Sequence, residues 1–329
     1  MKKFFIISLM CILYTGLYAQ DPEFTQFYAN PLYLNPAFAG TGGGPRFTLN
    51  YRDMWPSVPK SWITYGASWD QHFDALAGGL GVQVVFDQAG EGKMTRKIGN
   101  LMYSYQLPVS KSFALKLSLE AGIQQVAIDF SKLTFPDMID PKLGFVYQTK
   151  EPVVTEHPGL YKMTPFPDFS FGILGYSNKL YGGLAVNHIN KPKQSFIGTN
   201  SYLPIKYTAH FGMMIPLDNG REHKRFFSPN IMFQNQEKFW QLNLGTYFIK
   251  DRFIAGVWMR QTSANFDAMM AMIGINAGPV RFGYSYDITF SEARYGAKGS
   301  HEVSLMIQLP ENERSKNPKW HKLKCPGFY

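Results

Sequence analysis

The side chains best suited to chemistry are few and scattered. His188 follows Asn187 and His210 stands alone, each within a segment that reads as a strand. A barrel phospholipase needs a Ser–His pair with an orienting amide or acid, and a barrel protease needs acid and His residues converging at one rim. Neither set assembles from neighbours in this chain. No Cys/His spacing resembles a zinc site. Gly42-Gly43-Gly44 runs into Pro45 without the Lys-Ser/Thr of a phosphate loop, and reads as a flexible entry to a strand. The expectation is therefore a protein with no enzymatic activity, no cofactor and no metal.

The elements that hold these residues alternate. In Gln241-Leu242-Asn243-Leu244-Gly245-Thr246-Tyr247-Phe248 the large apolar side chains fall on every second position. Successive side chains of a strand point to opposite faces, so one face is apolar and the other polar. Trp240, Leu242, Leu244 and Phe248 should face one way, and Gln241, Asn243 and Tyr247 the other. The pattern recurs at Phe47, Leu49 and Tyr51, at Phe113 to Ile123, at Phe282 to Ile288 and at Val303 to Leu309.

The first residues read as an export signal. Lys2 and Lys3 precede an apolar run from Phe4 to Leu13, too short to span a bilayer as a helix. Cleavage after Ala19 would open the mature chain at Gln20 or Asp21 and remove Cys11. Cys325 is then the one cysteine left, so no internal disulfide is expected. It could pair between chains in an oxidising compartment, or remain a free thiol in a docked tail.

Aromatic residues make up 16% of the chain and charged residues only 17%, against a usual ~25%. Exported, aromatic-rich and charge-poor, with ~10-residue alternating segments, the chain fits an all-β fold: an antiparallel outer-membrane β-barrel. The fourteen expected strands are 46–54, 61–71, 76–87, 95–107, 112–127, 167–177, 179–188, 205–215, 226–235, 239–249, 252–262, 266–276, 279–289 and 301–309. Connections on one side are short, as at Ser177-Asn178, Lys250-Asp251 and Ala277-Gly278. The long ones, 128–166, 189–204 and 290–300, fall on the other. Short turns face the periplasm in such barrels, which puts both termini there and the long loops outside. The expected organisation is signal 1–19, a periplasmic segment or lumen plug 20–45, barrel 46–309 and a periplasmic tail 310–329.

The inward positions include charges of both signs: Arg52, Lys116, Glu120, Arg281, Asp287 and Glu302. Such charges line a pore or pair and fill it. The net charge of +9 falls to +7 once the two signal lysines leave. With the charge scattered, anionic lipid or an acidic protein suits the chain better than nucleic acid.

Two segments are not barrel. Residues 21–44 are dense in apolar side chains, and two Asn-Pro steps disfavour a continuous helix. This segment either folds into the barrel mouth or docks on a partner. Residues 310–329 are basic but carry aromatic anchors.

The run Phe24-Thr25-Gln26-Phe27, Asn30-Pro31 and Leu34-Asn35-Pro36-Ala37-Phe38-Ala39-Gly40 resembles the opening motif of the PorP/SprF family. Tyr51-Arg52, Trp55 and Lys324-Cys325-Pro326 add to the likeness. The resemblance implies an outer-membrane barrel of the type IX secretion and gliding machinery. It would be associated with periplasmic ring or peptidoglycan-linked proteins, and with attachment of a secreted adhesin or its C-terminal signal domain. Periplasmic partner contacts are then expected at Phe24, Gln26, Phe27, Asn30, Asn35, Pro36 and Phe38, and in the tail at Trp320, Lys322, Lys324, Cys325, Phe328 and Tyr329. The competing expectation is a diffusion channel or a transporter of hydrophobic compounds.

Overall fold

The structure is a computed structural model. It describes residues 21–58, 61–90, 94–110, 112–195, 201–218, 224–291 and 299–311, together with Leu323, Cys325 and Pro326. Fourteen antiparallel strands form the wall: β1 (Arg46–Met54), β2 (Trp62–Phe73), β3 (Gly78–Ala89), β4 (Met94–Pro108), β5 (Ala114–Asp129), β6 (Phe166–Tyr176) and β7 (Leu180–Asn187); then β8 (Lys206–Met213), β9 (Arg225–Gln236), β10 (Phe239–Lys250), β11 (Phe253–Thr262), β12 (Phe266–Ala277), β13 (Val280–Thr289) and β14 (Ser300–Gln308). Each pairs with the next in sequence, and β1 pairs with β14 from Arg46↔Gln308 to Met54↔Ser300. That last pairing closes the barrel. A closed barrel leaves no strand edge unpaired, which a hydrocarbon environment demands.

The period of two decides which way each side chain faces. In β10, Gln241, Asn243 and Tyr247 are buried in the lumen, while Leu244 and Phe248 are exposed on the outside. β1 alternates in the same way, with Phe47, Leu49 and Tyr51 outward. The outer band of Leu, Ile, Val, Phe and Tyr is what a lipid-facing wall requires. Observed strand bounds differ from the expected ones by a few residues. The clearest case is β3, expected from residue 76 but preceded by a turn at Asp74–Leu76 and by Ala77 at φ 49°.

The two ends of the barrel differ. At the turn end, β2–β3, β4–β5, β6–β7, β10–β11 and β12–β13 join through short turns; Gly278 supplies the positive φ that the last of these needs. At the loop end lie the long connections, of which the one between β5 and β6 is the longest. There a short hairpin pairs Ile139–Asp140 with Gly144–Phe145, and Leu160–Lys162 adds briefly to β5.

Candidate functional site

The lumen is not empty. Residues 21–44 run through it, entering β1 at the turn end and reaching the loop end at Asp21. Proline geometry shapes this segment. Asn30 and Asn35 hold non-helical backbone before Pro31 and Pro36, so the chain makes three short turns at Phe27–Ala29, Pro31–Leu34 and Pro36–Phe38. The Asn35 side chain caps the last turn by accepting from the Ala37 N–H at 2.9 Å.

Polar contacts join wall and plug at both ends of the lumen and between them. At the loop end the Asp21 carboxylate meets Arg96 at 2.9 Å, His188 at 2.8 Å and Lys206 at 3.5 Å. The other imidazole nitrogen of His188 meets Asp168 at 2.8 Å. Burial would lower the His188 pKa, but the carboxylates of Asp21 and Asp168 raise it to about 9. Burial likewise opposes ionisation of Asp21, yet His188, Lys206 and Arg96 hold it well below the usual carboxylate range. Both nitrogens of His188 are occupied and the ring is charged near neutrality, so it cannot act as a general base.

One step further in, Thr25 and Gln26 meet strands β13, β14 and β1. Glu302 accepts from both backbone N–H groups, that of Gln26 at 3.1 Å. The Gln26 amide donates to Ser285 Oγ at 3.1 Å and to the Glu302 carbonyl at 2.9 Å, and accepts from Ser304 Oγ at 2.6 Å. Thr25 Oγ1 donates to Asp287 at 2.8 Å and accepts from Arg52 at 2.6 Å. Arg52 also pairs with Asp287 at 3.2 Å and Glu302 at 3.7 Å, and Arg260 approaches Asp287 at 3.6 Å.

The middle is largely apolar. Phe27 packs edge-on against Trp258 with ring centroids 4.8 Å apart, and Tyr28 lies between Trp258 and Tyr181. Gln83 donates to Asn30 Oδ1 at 3.0 Å. Asn35 Nδ2 donates to the Ile173 and Leu184 carbonyls at 3.0 and 3.2 Å and lies 3.2 Å from His210 Nε2. His210 is also stacked under Phe38.

At the turn end, Arg46 and Asp70 face each other on adjacent strands and pair at 2.8 Å. Arg46 donates to the Phe38 carbonyl at 3.0 Å and Asp70 accepts from the Gly40 N–H at 2.6 Å. The Lys116 ammonium donates to the Ala39 carbonyl. Gly40 and Gly79 allow backbone to touch backbone: a Cβ on Gly79 would lie 2.1 Å from the Ala39 oxygen. Between the wall around Glu120 and the plug residues Leu32 and Tyr33 lies a cavity of about 30 Å³, lined also by Asp168, His188 and Lys206.

These placements revise the expected sites. Phe24, Gln26, Phe27, Asn30, Asn35, Pro36 and Phe38 are buried inside the barrel, where Gln26, Asn30 Oδ1 and Asn35 Nδ2 bond its wall. Asp21 lies at the loop end, so the segment 21–45 is a lumen plug and its start is remote from the turn end. Arg52, Lys116, Glu120, Asp287 and Glu302 are inward and buried; Arg281 is inward and half-buried, 3.8 Å from Met306 Sδ. Glu120 accepts from Asn100 and Ser170 at 3.0 and 3.2 Å. His188, expected within a strand beside Asn187, lies just past the end of β7 and is the hub of the loop-end cluster.

In the C-terminal tail, Leu323 and Cys325 pack against the plug-and-wall core and Pro326 is buried. Burial pushes the Cys325 thiol up to about 12, against the opposing pull of Arg46 and Lys116. A thiol so rarely ionised is a poor nucleophile. Trp320, Lys322, Lys324, Phe328 and Tyr329 lie outside the described residues.

The loop between β5 and β6 offers a contrasting surface. Asp137 accepts from the Lys150 N–H at 2.7 Å, and Asp140 accepts from the Lys142 and Leu143 N–H groups and from the Tyr147 hydroxyl. Both carboxyls are held below their ordinary values by those backbone bonds. The loop is thus ordered by its own side chains, yet Leu143, Phe145, Val146 and Tyr147 stand exposed on it.

Fold and lumen together define a membrane β-barrel closed by its own N-terminal segment. The profile of the type IX secretion system membrane protein PorP/SprF matches residues 16–307, and the chain belongs to that family. Family and fold are those of an outer-membrane secretion barrel rather than of an enzyme class. No curated protein matches the sequence. Among solved structures, the Acinetobacter baumannii outer membrane protein Omp33 is similar at 9% identity and TM-score 0.40, covering 82% of this chain and 100% of its own. The Pseudomonas putida toluene transporter TodX is similar at 7% identity and TM-score 0.43, covering 88% and 94%. A Pseudomonas aeruginosa FadL homologue is similar at 11% identity and TM-score 0.43, covering 80% and 90%.

Proposed function

We propose that this barrel is a docking platform rather than a conduit. Its long loops would hold a secreted surface protein, an adhesin or its C-terminal signal domain, outside the cell. Its turn end, with the C-terminal tail, would contact the periplasmic ring or peptidoglycan-linked proteins of the secretion system. The observation that carries this reading is the occupied lumen: residues 21–44 run through it, and inward groups such as Arg46, Asp70, Asp287 and Glu302 bond them. The ordered loop with exposed Leu143, Phe145 and Tyr147 adds support, because apolar side chains held out on an ordered scaffold suit protein contact.

The test has two arms. Removing residues 312–329 should leave barrel insertion intact and lose periplasmic partners in pull-downs from native membranes. Removing residues 136–150 should lose a surface protein from the same pull-downs. Full recovery of all partners with both deletions would sink the proposal. The rival reading, a diffusion channel or transporter of hydrophobic compounds, requires the plug to leave, and steady conductance from the purified intact chain would favour it.

A further inference from the structure

One stretch of the outer wall departs from the bulky packing around it. Near the loop end, Val303, Tyr51, Tyr65, Phe86 and Lys97 are directly opposite one another on β14, β1, β2, β3 and β4. The two tyrosine rings are 5.3 Å apart, Tyr65 lies 6.2 Å from Phe86, and the Lys97 ammonium stands 6.0 Å from the Phe86 ring. This is a segment of an interfacial aromatic girdle that ends in a cation. The next outward row towards the turn end is Leu305, Leu49, Ala67, Val84 and Gly99, and the one after it includes Phe47, Trp69, Val82 and Leu101. Ala67 and Gly99 are too small to fill their places; a Cβ on Gly99 would meet nothing within 4 Å. The result is an apolar groove of about 580 Å³ beneath the aromatic row, with Lys97 at its edge.

We propose that this groove is a binding site for one anionic, phosphate-bearing lipid of the outer leaflet, its acyl chain lying over Ala67 and Val84 and its phosphate at Lys97. The position decides the occupant. The groove lies on the apolar band of a membrane barrel, runs inward from the girdle and is almost wholly hydrocarbon-lined, which matches a chain and not a polar ligand. Lys97 makes no ion pair within the chain among the described residues, and an outward cation near the interface gains from a phosphate at headgroup level. The site is independent of the docking role.

Native mass spectrometry of the full-length protein, delipidated in detergent and titrated separately with phosphatidylglycerol and phosphatidylcholine, tests it. The native chain should retain one lipid and prefer phosphatidylglycerol by about fivefold, the order of one basic residue at an anionic surface. Lys97→Gln should abolish the preference while keeping a lipid bound. Ala67→Phe, which fills the groove, should lose both lipids, and Gly99→Leu, whose side chain enters open space, serves as a second filling variant. Heat-modifiable migration on gels shows that each variant is folded. Equal lipid retention by all four proteins overturns the proposal. So does a groove-filling variant that turns a dimer into a monomer, since the occupant would then be a second copy.

Discussion

The two faces of the same wall obey one rule and teach opposite lessons. Outward positions need only be apolar: Leu49, Leu244 and Phe248 meet solvent hydrocarbon, and many side chains would serve. Inward positions are individual. Arg52, Asp287 and Glu302 each hold a named atom of Thr25 or Gln26, and Asp70 and Lys116 hold the backbone at Gly40 and Ala39. A water-filled pore tolerates exchange among polar groups. A wall that binds its own chain does not, because each buried group lost leaves a partner unsatisfied. The inner face therefore behaves as a binding site whose ligand is covalently attached.

That contrast is sharpest under substitution. Arg52→Ala leaves Asp287 and Glu302 buried together without their shared cation, and removing one partner of such a set costs about 3–5 kcal/mol; unfolding in urea should show it. On the outer face, Leu244→Lys near the middle of β10 should cost about 2–4 kcal/mol, and Leu244→Val well under that, in the same assay. If Arg52→Ala proved as mild as Leu244→Val, the distinction between the faces would be lost.

A smaller effect should appear with pH. The His188 pKa is raised to about 9 from its ordinary 6.5 by Asp21 and Asp168 against burial, so its contribution is complete below about pH 6.5 and fades as pH rises through about 9. Hydrogen exchange at residues 23–26 should therefore quicken between neutral pH and pH 10 beyond the intrinsic rise. The His188→Gln variant should lack this extra step, and its persistence there would assign the change elsewhere.

Much of the barrel was legible because the period-two pattern is local. Alternation at Gln241 to Phe248 assigns both faces of β10 without reference to any other strand, and the parity of short and long connections follows from counting. Inward charges such as Arg52 and Glu302 were readable for the same reason. Their purpose was not. Thr25 and Asp287 are 262 positions apart, and no spacing rule links a segment before the first strand to carboxylates near the end of the chain. Parity has a limit at Asp21: counting strands gives the side on which β1 begins, but not that the preceding chain doubles back through the lumen. One signal is present in the sequence itself. Arg46 and Asp70 fall on adjacent strands at inward positions, an opposite-charge pair where a shared partner could sit.

Conductance across planar bilayers asks whether residues 21–44 seal the barrel. The intact mature chain, with its plug, should show no steady current. The same barrel lacking residues 21–41 should open a stable conductance, since the groups that fill the lumen leave with that segment. A steady current from the intact chain, equal to that of the deletion, would mean that the segment does not close the lumen.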